Sequence, residues 1–107
     1  MAMNERPIPE AALRDENSVE MLRVWIAEQK IHCSIKIGMY RESMDIDEAI
    51  AWGTILADAT RHIAKALQAG YGEAEEISVA KIRAKFSEEL DEPTSDAQGE
   101  FVTSQPD

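Results

Sequence analysis

The 107-residue sequence predicts an α+β domain: an antiparallel β-hairpin packed on one long α-helix, with a second, C-terminal helix. Three patterns carry this expectation. Apolar residues alternate at period two across residues 19–27 and again across 30–37, the signature of half-buried strands. They then recur at helical spacing over 46–68, and again over 73–90. The length fits one domain whose surface-to-volume ratio limits what it can bury alone.

Residues 1–18 form a flexible N-terminal arm. Pro7 and Pro9 disfavour helix before them, residues 10–14 can make one short helical turn, and Ile8 and Leu13 pin the arm to the body. The domain proper spans 19–90. A turn at Glu28-Gln29 pairs Ile26 with Ile31, Val24 with Cys33 and Leu22 with Ile35, which gathers the apolar residues on one face. A turn one residue later keeps the same parity, and neither contains the Asn-Gly that would decide between them. The opposite face carries Arg23, Trp25, Lys30, His32, Ser34 and Lys36. Trp25 is out of place there: either Lys and Arg stems lie over the indole, or a second copy or a partner buries it. Because a two-stranded sheet is marginal by itself, edge-to-edge pairing of two hairpins favours a homodimer with an extended sheet.

Gly38 ends the ribbon, and residues 39–44 read as a loop. Asp45 with Glu48 resembles a capping box for the long helix, which Gly70 and Gly72 stop. Its main stripe includes Ile46, Ile50, Gly53, Leu56, Ile63 and Leu67. Gly53 costs about 1 kcal/mol against Ala in a helix, and close approach of the helix to the strands is the expected return. Trp52, Ile55, Ala59 and Ala66 form a second stripe, so apolar residues cover roughly 220° of the helix. The C-terminal helix, with Ile77, Ile82, Phe86 and Leu90, is one candidate to cover it, and a second subunit is the other.

Of the net charge of −10, seven acids and no Lys or Arg fall from Glu88 onward, leaving residues 1–87 with 14 acids and 11 bases. Residues 91–107 are expected to be a disordered acidic tail. The acidity argues against nucleic-acid and anionic-membrane partners, which require a basic face. A lone Cys33 allows no internal disulfide, and no long apolar run or signal-peptide core is present, so a reducing, cytoplasmic setting is expected.

Little in the chain has the spacing of catalytic machinery. No glycine-rich phosphate loop, HExxH or G-x-S-x-G occurs, so no catalytic residue and no cofactor are assigned. Asp58 and His62 stand four apart on one helical face, a spacing that can supply two metal ligands, with His32 as a third only across a subunit seam. A surface charge network with Arg61 and Lys65 accounts for the same residues without a metal.

The run from Met21 to Ala27, the His32-Cys33-Ser34 strand and the segment Ala51-Trp52-Gly53 through Arg61-His62-Ile63 resemble a small family of alphaproteobacterial proteins known as a domain of unknown function. The resemblance covers about residues 4–93 and implies a bacterial cytoplasmic protein, without catalytic or binding residues to carry over. The expected function is a non-enzymatic interaction or regulatory module acting as a homodimer with an unknown protein partner. Its interaction surface is expected to involve Arg23, Trp25, His32, Trp52 and Ile55. The alternative is a small-ligand or metal site at the dimer seam, using His32, Asp58, Arg61 and His62.

Overall fold

The computed structural model describes residues 4–103. In chain order the elements are α1 (Glu10–Arg14), β1 (Leu22–Ala27), β2 (Lys30–Ile37), α2 (Met39–Ser43), α3 (Glu48–Tyr71), α4 (Glu75–Asp91) and β3 (Gln98–Thr103). The class is α+β, as expected.

The hairpin takes the Glu28-Gln29 turn, with Ile26 opposite Ile31, Val24 opposite Cys33 and Leu22 opposite Ile35. Glu28 and Gln29 both adopt positive φ, 52° and 67°. Two consecutive left-handed residues are what a tight two-residue hairpin turn requires, here supplied by side chains that do not favour it.

Three expectations about where elements lie and begin need correction. Residues 98–103, assigned to a disordered tail, form β3, which pairs in parallel with β2 and makes the sheet order β1-β2-β3. β3 is short and its residues 98–101 are exposed, so little in its composition announces a strand; backbone pairing with the open edge of β2 holds it. Residues 39–43, read as loop, form α2 behind Gly38 at φ 105°. Asp47, rather than Asp45, caps α3, its side chain accepting the Ile50 N–H at 3.2 Å. Gly72, at φ 73°, ends α3 as a left-handed cap, donating to the Gln68 carbonyl at 2.9 Å.

The extensive contacts of the strands are with one another, and those of α3 are with α4 and α2. The expected close approach of α3 to the strands at Gly53 is absent: a Cβ there would meet nothing within 4 Å. Instead α3 packs on α4, and in the C-terminal half of α3 Ala64 is fully buried and Thr60 and Leu67 are half-buried. Among the described residues the buried core is very small: Gly38, Ala51, Ala64 and Ser78. Large apolar side chains on both layers stay open, including Ile26 at 78% and Ile50 at 69% exposure. No helix among the described residues is long and apolar enough to cross a membrane.

Candidate functional site

Among the described residues the most highly coordinated side chain is Glu48, at the start of α3. One carboxylate oxygen accepts the Gly38 N–H at 3.1 Å and the Trp52 Nε1–H at 3.0 Å. The other accepts the N–H groups of Tyr40 and Arg41, both at 3.2 Å. These backbone donors lie at the start of α2, where N–H groups lack helical partners, so Glu48 is an N-terminal cap reached from the next helix. The Gly38 hydrogen bond is the main influence lowering its pKa; burial opposes, and the Arg41, Trp52 and Tyr40 bonds add to the lowering. A carboxylate so fully donated is a poor proton acceptor, and its role is to lock the corner between sheet and helices. Sequence reasoning placed Glu48 in a capping box but on the wrong helix; its four-residue spacing from Trp52 was the available signal.

Two grooves flank the fold. The larger, about 740 Å³, lies between the N-terminal arm and β1, lined by Pro7, Ile8, Leu13, Leu22, Arg23 and Trp25 among others. The guanidinium of Arg23, on its lining, pairs with Glu5 at 3.0 Å and Glu20 at 3.1 Å. The second, about 620 Å³, is lined by Ile37, Arg41, Asp47, Glu48 and Trp52.

The residues expected to form an interaction surface therefore fall into two groups. Trp25 stands opposite His32 across the hairpin, with Arg23 two positions away on the same face. Trp25 is 36% exposed, and the His32 Nε2 is buried with no hydrogen-bond partner among the described residues. Trp52 and Ile55 are half-buried on α3, with Trp52 lining the other groove. The metal candidates do not converge. Asp58 pairs with Arg61 on the exposed surface of α3, while His32 lies in the middle strand of the sheet. Among the described residues no three His, Cys, Asp or Glu side chains are placed to hold a metal ion.

These features define a small α+β domain with a mixed three-stranded sheet, a contacting pair of longer helices and extensive uncovered apolar surface. The chain belongs to the family described as Domain of unknown function (DUF5076), matched over residues 5–94, so β3 lies beyond the matched span. No curated protein matches the chain. Among solved structures, it is similar to one from the photosynthetic bacterium Rhodopseudomonas palustrus CGA009, provisionally described as a pyruvate dehydrogenase. The two share 22% identity and a TM-score of 0.67 over 92% of this chain and 95% of that one. At that identity the likeness is one of fold.

Proposed function

We propose that the chain is a non-enzymatic protein-interaction module that works as a homodimer in the bacterial cytoplasm. The observation that carries this reading is the amount of surface left uncovered. The chain exposes 9175 Å², whereas a compact monomer of its 11.9 kDa mass exposes about 5,900 Å². Even with every residue outside 4–103 counted as fully extended, about 2,000 Å² remains in excess. The radius of gyration, 15.8 Å, likewise exceeds the roughly 13 Å of a compact chain of this length.

Large apolar residues are among those exposed: Val24, Ile26, Ile31 and Phe101 on the sheet, Ile50 and Ile63 on α3, Phe86 and Leu90 on α4. Exposed apolar surface on this scale is unusual for a soluble monomer and normal for a subunit of an obligate assembly. The net charge of −10 favours a protein over a nucleic acid as the further partner. The groove beside Trp25, lined by the Glu5–Arg23 pair, is the surface such a partner would meet.

The test is thermal unfolding across a hundredfold range of protein concentration. A homodimer without a stable folded monomer gains stability by mass action, so its Tm rises with concentration. A Tm that does not move with concentration, at monomer mass, would refute the reading.

A further inference from the structure

We infer that β3 is a detachable cap on the edge of β2: bound, it keeps that edge from pairing with another copy of the chain, and released, it opens the edge to a second copy's β2. The starting point is the edge that β3 covers. Ile31, Cys33, Ile35 and Ile37 alternate along β2, and residues 30–37 contain no acid and no proline. The Lys36 N–H bonds the Met21 carbonyl on the β1 side at 3.0 Å, so by the alternation of the pleat the backbone groups of Cys33 and Ile35 turn to the opposite edge. A long apolar edge of this kind is a template for its own copies. Set antiparallel about Ser34, two such edges bring Ile31 against the partner's Ile37 and Cys33 against the partner's Ile35.

β3 takes that edge instead, in consecutive pairs from His32–Gln98 to Ile37–Thr103. Parallel partners share the pleat, so Phe101 falls on the apolar side with Ile35, and Glu100 falls on the polar side with Ser34. Gly99, at φ 123°, admits the close approach to the Cys33 backbone that any Cβ would block. The sheet then ends in β3 itself, which is short, contains a glycine and carries a charge at Glu100. These are the devices that blunt an edge against further pairing. The edge-to-edge association of hairpins that alternation alone suggests is thereby barred on this side of the sheet.

The cap is weakly held. After α4 the chain is tied down at Thr94, whose N–H and hydroxyl both donate to the Glu89 carboxylate at 3.0 Å. Beyond it, no side-chain hydrogen bond or ion pair among the described residues joins residues 95–101 to the hairpin, and all of these residues are exposed. Backbone pairing is what remains, and Thr94 marks the point from which β3 swings away.

The test uses the full chain with Gly99→Ala. In dilute solution its β3 amides are expected to exchange about 10–100-fold faster than those of wild type. Two copies must both open before they pair, so association scales with the square of the open fraction. The association constant in sedimentation equilibrium is therefore expected to rise about 100-fold or more over wild type. The free peptide of residues 95–107, at millimolar concentration, is expected to reverse the added association by refilling the edge. Released β3 amides with an association constant equal to that of wild type overturn the cap. Added association that the peptide leaves intact also overturns it, because the copies then meet elsewhere, and so does wild-type protection of the β3 amides. The mass of the unmodified chain is the baseline of this comparison, so the homodimer reading stands or falls separately.

Discussion

Replacing Gly99 by alanine should detach β3 and leave the β1–β2 hairpin in place. Gly99 has φ 123°, and a Cβ built there would overlap the carbonyl oxygen of Cys33 and lie 2.8 Å from its nitrogen. Both obstacles are backbone atoms of the middle strand, which cannot swing aside as a side chain can. The conformation alone costs a non-glycine residue about 1–3 kcal/mol. What it opposes is small. Residues 98–101 are exposed, so β3 is held by ladder hydrogen bonds worth about 0.5–1.5 kcal/mol each, against an ordering cost of about 1–2 kcal/mol per residue. The strain is therefore comparable to the whole net attachment. Amide exchange by NMR should show the β2–β3 amides exchanging about 10–100-fold faster in Gly99→Ala, with the β1–β2 amides unchanged. Wild-type protection at the β2–β3 amides of the variant would refute the reasoning, because it would mean that β3 does not pair with β2 in this register.

Three further substitutions test the helical layer. In Glu48→Gln, the four donors lose a charged acceptor. The folded-state pKa of Glu48 lies below its ordinary 4.5, so its contribution is complete above that value and lost as pH falls through the lowered one. Denaturation curves of wild type and variant should differ at neutral pH and converge in acid; a constant gap would contradict the role. Asp47→Ala removes the side-chain cap on the Ile50 N–H and should cost about 1 kcal/mol in urea unfolding, a cost absent if the cap lies at Asp45. Ala64→Leu overfills a fully buried position of α3 and should cost about 1–3 kcal/mol by the same measure. A neutral result would mean that Ala64 is not packed as described.

The hairpin was legible down to its pairs because alternation and turn length constrain each other: Ile26 opposite Ile31 fixes Val24 opposite Cys33. The long helix was legible from its stripe, and its start was misplaced by two residues because two aspartates, Asp45 and Asp47, compete as caps. α2 was missed because its five residues have no periodicity to read, and its stabilising acceptor, Glu48, comes from a later element. β3 was missed for a similar reason. Its partner is a strand edge some sixty residues earlier, and a short, acidic, glycine-containing segment carries no local sign of that edge. The expected surface residues split between Trp25 on the sheet and Trp52 on α3 because periodicity assigns a face within an element and says nothing of how elements are arranged. Gly53 was recognised as needing a close neighbour, and within the chain that neighbour is missing.

The uncovered surface carries the central claim, that the folded unit contains two copies. Sedimentation equilibrium of the wild-type chain at micromolar concentration tests it most directly. The expected mass is twice the 11.9 kDa of the chain; a single species at 11.9 kDa would contradict the account.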